Sequence, residues 1–263
     1  KSGLLHRSYI AIMKFIVHTV FLFLLFSACS KKDSSFVNNP NSTGNLHTRP
    51  VGASANELLS ASKYTSLKIE IQYMQGYVPD AAAINHMQSM LTGLINKPGG
   101  ITIVTREIGA SANQSLTAEE AFTIERNNRT AFTTGNQIAI YILYTNGYFS
   151  DNNVLGIAHK NTSAVLFGRK IQENSGGLNQ PSRTKLVATV LEHEIGHLLG
   201  LVDLGSSMQS PHKDIANGNH CNNSGCLMHY AAETSDILGF LVTGNIPALD
   251  VACKADLTAN GGK

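Results

Sequence analysis

Two histidines stand four residues apart in the run His193-Glu194-x-x-His197. The surrounding residues have the apolar period of a helix, and side chains four apart on a helix share one face, about a turn apart. Two imidazoles in this arrangement can bind one Zn²⁺, with Glu194 beside them to accept a proton from water. Apolar residues at positions 187, 191, 195 and 198 form a separate stripe. The pattern therefore predicts a helix from Ser182 to about Leu199. Its apolar stripe is expected to pack in the core, and both histidines are expected to line a cleft.

The residues after this helix carry a resemblance to a known family. Gly200 follows His197 by three positions, where a helix can end with a positive φ and the chain can turn back. The run from the first histidine to Gly200 resembles the metzincin clan of zinc proteases. Further along, Cys226-Leu-Met228-His-Tyr230 resembles that clan's Met-turn, a methionine loop beneath the metal, and its Met-His-Tyr order is similar to that of astacins.

This resemblance implies a zinc-dependent endopeptidase that acts on a peptide or protein substrate. The implied cofactor is Zn²⁺, with His193 and His197 as ligands, Glu194 as general base and Met228 beneath the metal. Tyr230 is implied as a donor to the oxyanion, a role carried over from astacins. A second class stays open, a catalytically silent zinc- or ligand-binding surface protein with the same fold. The intact glutamate favours the enzyme, because a pure binding site needs no base.

The third protein ligand has two main candidates. A catalytic zinc commonly takes three protein ligands and leaves one position for water. Asp203 stands where the clan has a histidine, three residues after the glycine, and the small bacterial snapalysins resemble this arrangement. His220 directly precedes a Cys-x4-Cys-x-Met run, like the third histidine of archaemetzincins. We favour His220, which makes residues 201–219 an insertion, because more positions agree; His212 is a third candidate.

Three cysteines follow the predicted helix, at Cys221, Cys226 and Cys253. Archaemetzincins bind a second, structural zinc through four cysteines that end in a Cys-x-x-Cys pair, and Asp256 stands here in place of the fourth. An exported chain enters a compartment that permits disulfides. We therefore expect one disulfide and one free thiol rather than a second zinc, and the sequence leaves the pairing open.

Apolar patterning predicts an α/β (α+β) fold ahead of the histidine helix. Strands are predicted near positions 67–73, 101–105, 138–144, 154–158 and 164–167, the first of them half-buried. Helices are predicted after Asp80 and after the capping box of Thr117 and Glu120. This order predicts a mixed, mostly parallel sheet with a backing helix and the active-site helix packed on it, as in metzincins. The chain after the glycine is predicted to be a loop-rich subdomain that ends in a helix from Pro247 to about Ala259.

The N-terminal segment has the pattern of an export signal. Mostly apolar residues fill positions 15–26, a run too short for a membrane span and suited to the apolar part of a signal peptide. The small pair Ser27-Ala28 ahead of Cys29 resembles a bacterial lipobox, which implies lipidation of Cys29. The following segment is rich in asparagine, serine, threonine, glycine and proline, the composition of a flexible tether.

These features divide the chain into three parts. Residues 1–28 are predicted to be upstream residues and a lipoprotein signal peptide, 29–55 a flexible tether, and 56–263 a zinc metallopeptidase domain. The predicted location is the bacterial cell envelope, lipid-anchored at the outer membrane or cell surface. If Cys29 is not lipidated, the protein is expected to be secreted.

The charge distribution excludes one class of partner. The chain has 20 basic and 18 acidic residues, and residues 1–28 contain three of the basic ones and no acidic one, which leaves 17 basic against 18 acidic. A body with a net charge near −1 lacks the basic surface that nucleic-acid binding needs. We expect a monomer that contacts the membrane only through its lipid.

Overall fold

The computed structural model describes residues 46–263. The predicted signal peptide, the lipidation site Cys29 and the tether up to residue 45 lie outside the described residues. Residues 46–55 pack on the domain: the buried His47 donates to Thr162 Oγ1 at 2.8 Å and accepts from the backbone N–H of Thr133 at 3.1 Å. The packed chain thus begins ahead of residue 56. No helix within the described range has the length and apolar character that crossing a membrane requires.

One five-stranded sheet forms the frame of the domain. In spatial order its strands are β2 (Ile101–Ile108), β1 (Ser66–Met74), β4 (Gln137–Thr145), β7 (Ser163–Phe167) and β6 (Gly156–Lys160). The first four are parallel, and β6 runs antiparallel to β7 at the edge. Two short strands pair separately, β3 (Ser115–Leu116) and β5 (Tyr148–Phe149). The predicted mixed, mostly parallel sheet is confirmed; β6 starts later than expected, and Val154 instead forms an isolated bridge with Thr234.

The helices begin where the sequence has capping residues. The described residues form α1 (Ala55–Leu59), α2 (Ala81–Leu94), α3 (Ala118–Asn128), α4 (Gly168–Glu173), α5 (Arg183–Leu198), α6 (Leu238–Thr243) and α7 (Val251–Ala259). The side chains of Asp80, Thr117 and Ser182 cap α2, α3 and α5 by accepting a backbone hydrogen bond from the first turn. Helix α7 starts later than the predicted Pro247, because the carboxylate of Asp250 caps it by accepting from the N–H of Cys253.

Helix α5 lies at the centre of the main core. One face of the sheet, with alternate side chains of β1 and β4, packs against α2 and α5, and the same cluster continues beyond α5 into the loop-rich C-terminal part. Every residue of α5 from Leu186 to Leu198 is consequently buried. The histidine-bearing helix is therefore held between the sheet and the C-terminal loops, in the predicted fold class.

The opposite face of the sheet is also covered at β1, which corrects the half-buried strand that the alternation in β1 predicts. Glu70 and Gln72, on the polar side of β1, are both buried. The carboxylate of Glu70 accepts hydrogen bonds from the backbone N–H groups of Thr130 and Ala131, at 2.9 and 2.7 Å. The segment after α3 closes this face, and the hydrogen bonds that it donates make the burial of a carboxylate tolerable.

Candidate metal centre

Helix α5 supplies three side chains of the site. His193, Glu194 and His197 are all buried near its C-terminal end. The Nδ1–H of His193 donates to the backbone carbonyl of Leu227 at 2.7 Å, which leaves a lone pair on its Nε2. The Nε2 atoms of the two histidines lie 3.1 Å apart. Their spacing along the helix therefore brings both imidazoles to one point.

His220 reaches the same point from the loop after α5. Its ring centroid lies 5.2 Å from that of His193 and 5.1 Å from that of His197. Its Nδ1–H donates to the backbone carbonyl of Asn217 at 2.6 Å, so its Nε2 is also free. Three imidazoles that converge in this way are a donor set that a catalytic Zn²⁺ accepts.

The other two candidates for the third ligand lie elsewhere. Gly200 and Asp203 both have a positive φ, 81° and 68°, and turn the chain sharply after α5. This turn carries the carboxylate of Asp203 outward, where it is 59% exposed and pairs with Lys213 Nζ at 3.1 Å. His212 pairs with Asp256 Oδ2 at 2.7 Å. Neither Asp203 nor His212 joins the other histidines.

A further side chain, Glu233, lies among the three histidines, and no motif in the sequence marks it. Its carboxylate oxygens are 3.5 Å from His193 Nε2, 3.7 Å from His197 Nε2 and 3.3 Å from His220 Nε2. Burial acts to raise the pKa of Glu233, but the three imidazoles together hold it well below its usual range. The one feature of the sequence that could have indicated Glu233 is its position, five residues after Met228. We call these four residues the histidine group.

Burial sets the protonation of the neighbouring groups. Desolvation lowers the pKa of His197 to about 4, which keeps its imidazole neutral and able to bind a metal. Desolvation, aided by the carboxylate of Glu233, raises the pKa of Glu194 well above its usual value, against a small opposing effect of the backbone N–H of Ala158. Neither buried oxygen of Glu194 makes a well-aligned hydrogen bond within residues 46–263. A buried carboxylate with unused acceptors and a raised pKa suits a general base.

Met228 lies directly beneath the histidine-bearing helix. Its side chain is fully buried, and a β-carbon on Gly196 would overlap its Sδ. A glycine between the two histidines thus lets the predicted Met-turn touch the helix backbone. Tyr230 contacts the ring of His229, with centroids 4.6 Å apart, and makes no hydrogen bond to the three histidines in the described chain. The structure therefore places Met228 under the site but does not bring Tyr230 into it.

The edge strand β6 borders a cavity at the site. The cavity has a volume of about 250 Å³ and is lined by residues of β6 together with His197 and Glu233. A β-carbon on Gly156, the first residue of β6, would lie 2.9 Å from Glu194 Oε1, so the glycine leaves room for this carboxylate. An edge strand beside such a cavity can bind an extended peptide as an added strand.

A second cluster of donor atoms lies next to the first. We call it the cysteine group; its ligand atoms all lie within 4.8 Å of one another, and its members are Cys221, Cys226, Asp250 and Cys253. The three thiols are free, and the sulfurs of Cys226 and Cys253 are 3.7 Å apart, against about 2.0 Å in a disulfide. The expected disulfide is thus not formed. The three thiols instead form a group of four donors with a carboxylate. That carboxylate belongs to Asp250, which caps α7, and not to Asp256.

The fold has known structural relatives. It is similar to that of archaemetzincin from Methanopyrus kandleri, with a TM-score of 0.50 and 14% identity over 74% of this chain and 96% of that one. Metalloproteinase-II from Bacteroides fragilis matches with a TM-score of 0.42 and 16% identity, over 82% of this chain and 59% of that one. No protein-family model and no curated protein matches the sequence. The described chain therefore has the archaemetzincin-like α/β fold, at an identity that shows the fold alone.

Proposed function

We propose that the protein is a zinc-dependent endopeptidase. The observation that carries this proposal is the convergence of three imidazoles, from His193, His197 and His220, beside a buried carboxylate and an edge strand. Two of the imidazoles have their Nδ1–H fixed by backbone carbonyls, which leaves Nε2 for a metal. When bound, Zn²⁺ would polarise the scissile carbonyl and lower the pKa of the attacking water.

Glu194 acts as the general base. It accepts the proton of the attacking water at a carboxylate oxygen and returns it to the amine that leaves. Burial raises the pKa of Glu194 above its ordinary value, which makes its carboxylate a stronger base. The peptide pairs with β6, which holds its backbone over the cavity. A role for Tyr230 at the oxyanion rests on the astacin resemblance.

The test compares two glutamates of the same helix. Glu194→Gln keeps the size of the side chain but removes its basicity, and we expect peptide hydrolysis to fall by about 10²–10⁴-fold with bound zinc unchanged. Glu192→Gln is the matched control: Glu192 is also buried, but it bonds His86 Nδ1 at 2.5 Å rather than the site. We expect this control to keep the parent rate within a few-fold. Equal rates for Glu194→Gln and the parent protein would refute the assigned base.

A metal-binding protein without turnover is the second candidate, and Glu233 favours it. The carboxylate stands between the histidines, where an attacking water would have to approach. This candidate predicts stoichiometric zinc together with no hydrolysis above that of Glu194→Gln. Incubation of the zinc-loaded protein with a mixture of unstructured peptides, read by mass spectrometry, separates the two functions.

We also propose that a lipid on Cys29 anchors the protein to the bacterial cell envelope. The support is the lipobox-like sequence alone. Cys29→Ala should move the protein from the detergent phase to the aqueous phase and remove an acyl mass increment. A parent protein without that increment would favour an ordinary signal peptide and secretion.

A further inference from the structure

We infer that Glu233 is a fourth protein ligand that closes the histidine site in the resting protein. This inference rests on the metal site of the proposed function but not on peptide hydrolysis. Catalytic zinc sites keep one position open, whereas sites with four protein ligands are closed. The assignment therefore decides whether the resting site can react at once or must first open.

The distances fit four donors around one ion. Ligand atoms about 2.0–2.1 Å from the centre of a regular tetrahedron lie about 3.3–3.4 Å from one another. Glu233 Oε2 lies 3.5 Å from His193 Nε2 and 3.7 Å from His197 Nε2, and Glu233 Oε1 lies 3.3 Å from His220 Nε2. The Nε2 atoms of His193 and His197 are 3.1 Å apart. The two distances from Oε2 and the distance between His193 and His197 are close to the expected length, and the other oxygen of the same carboxylate lies beside His220.

The contact between Glu233 and His220 is not an aligned hydrogen bond. His220 Nε2 is buried and meets no hydrogen-bond geometry, although an oxygen of Glu233 lies 3.3 Å away. His220 Nε2 and the carboxylate of Glu233 thus lie close together without an aligned hydrogen bond, within a set of four ligand atoms that all lie within 4.8 Å of one another. A carboxylate among three imidazoles is a donor that Zn²⁺ accepts.

The backbone around Glu233 is fixed to the entrance of the edge strand. Its carbonyl accepts from the N–H of Leu155 at 2.7 Å, the next residue forms a bridge with Val154, and Ser235 N–H donates to the carbonyl of Asn153 at 2.9 Å. Residues 153–155 lead directly into β6. A peptide that pairs with β6 thus binds to the strand that holds this segment, which gives the substrate a route to displace Glu233.

Glu233 and Glu194 would then act in succession. While Glu233 holds its place, the carboxylate of Glu194 lies buried without an aligned partner. When the carboxylate of Glu233 moves away from the histidines, a water can take its position beside Glu194. Glu194 can then accept a proton from that water. In this exchange a contact between the metal and the carboxylate of Glu233 would be replaced by one between the metal and water.

Co²⁺ substitution tests the inference without any peptide. The probes are the visible absorption of the Co²⁺-loaded protein and its response to azide, a small anion that binds only at an open position. We expect azide to leave the parent spectrum unchanged and to alter that of Glu233→Ala. The Co²⁺ affinity of the histidine group is measured by chelator competition, read from the absorption band that is lost in His220→Ala. We expect Glu233→Ala to bind Co²⁺ at least about 100-fold more weakly than the parent protein. Loss of a residue that only supports a ligand already lowers metal affinity by about 10–100-fold.

Two further variants serve as controls for Glu233→Ala. Asp236→Asn removes an exposed carboxylate three residues away and should behave as the parent protein. Glu233→Gln keeps the side-chain size and should share the azide response if the alanine variant is poorly folded. An azide response in the parent protein, or equal Co²⁺ affinity in all variants, would overturn the inference. If these results hold but no peptide is cleaved, only the proposed function fails; if peptides are cleaved and azide binds the parent protein, only the inference fails.

Discussion

The histidine group and the cysteine group meet in one loop but differ in their surroundings. His220 and Cys221 are neighbours in sequence, yet each belongs to a different group of four donors. The histidine group borders a cavity and an edge strand, and a carboxylate with unused acceptors stands beside it. The cysteine group is enclosed by its own loop and the start of α7. The first arrangement is suited to chemistry on a ligand and the second to holding the chain together.

The cysteine group has the dimensions of a closed metal site. Sulfurs about 2.3 Å from the centre of a regular tetrahedron lie about 3.8 Å apart, and those of Cys226 and Cys253 are 3.7 Å apart. Cys221 Sγ donates to Asp250 Oδ2 at 3.3 Å. Three thiols and a carboxylate thus lie close to one another at this group. We expect a second, structural ion here.

The Met-turn joins the two groups. The backbone carbonyl of Leu227 accepts from His193, and the carbonyl of Met228 accepts from the N–H of Cys221 at 2.7 Å. The N–H of Met228 in turn donates to Cys226 Sγ at 3.4 Å. Damage to the cysteine group should therefore reach the histidines, whereas loss of a histidine should leave the cysteine group intact.

Removal of a histidine ligand should have the largest effect on bound metal. His220→Ala should lose most of the zinc at the histidine group. Its zinc affinity should fall by more than the 10–100-fold that is typical when a residue that only orients a ligand is removed. Asp203→Asn is the control, because its carboxylate pairs at the surface with Lys213 and contacts no histidine. We expect its zinc content and affinity to match the parent protein in chelator competition. A metal-loaded His220→Ala with a depleted Asp203→Asn would reverse our choice of third ligand.

Removal of a cysteine should instead have its main effect on stability. Cys253→Ser should lower the free energy of unfolding by about 4 kcal/mol or more, the range for loss of a structural metal, and reduce bound metal from two ions to one. Cys253 is fully buried, while Ala252→Ser on the same helix places a hydroxyl at a partly exposed position and should change little. Denaturant titration and metal analysis measure both. An unchanged metal content, with a Cys226–Cys253 disulfide by mass spectrometry, would restore the sequence-based expectation.

The fold could be predicted where its determinants are local. Asp80, Thr117 and Ser182 mark helix starts because a cap acts within one turn, and the apolar periods mark the strands. The second face of β1 could not be predicted in this way. Glu70 is buried by a segment 60 residues later in the chain, and no local pattern encodes that contact.

The residues of the candidate site also differ in how far local sequence predicts them. Spacing alone brings His193 and His197 together, because both lie on one helix. His220 was selected by resemblance to a family, not by spacing. Glu233 and Asp250 escape prediction, because Glu233 ends a short 3₁₀ turn, Asp250 precedes α7, and both meet their groups only after the chain has folded back. Residues of the helix were therefore predictable from physics, and residues of the loops were not.

The contact between Gly196 and Met228 offers the finest test of how the two groups are linked. Alanine favours a helix over glycine by about 0.5–1 kcal/mol, so Gly93→Ala in α2, where a β-carbon would meet nothing within 4 Å, should stabilise the protein by that amount. Gly196→Ala has the same helical gain, but its β-carbon would overlap Met228 Sδ.

Forcing a methyl group into a packed core costs about 1–3 kcal/mol, so we expect Gly196→Ala to lose about 1 kcal/mol net and to weaken zinc binding as the Met-turn shifts. Denaturant titration of both variants gives the comparison. Adding Met228→Ala to Gly196→Ala removes the overlap, so the double variant should be more stable than the sum of the single changes predicts. Additive effects, or equal stabilisation by the two alanines, would mean that the Met-turn does not press on the helix between its histidines.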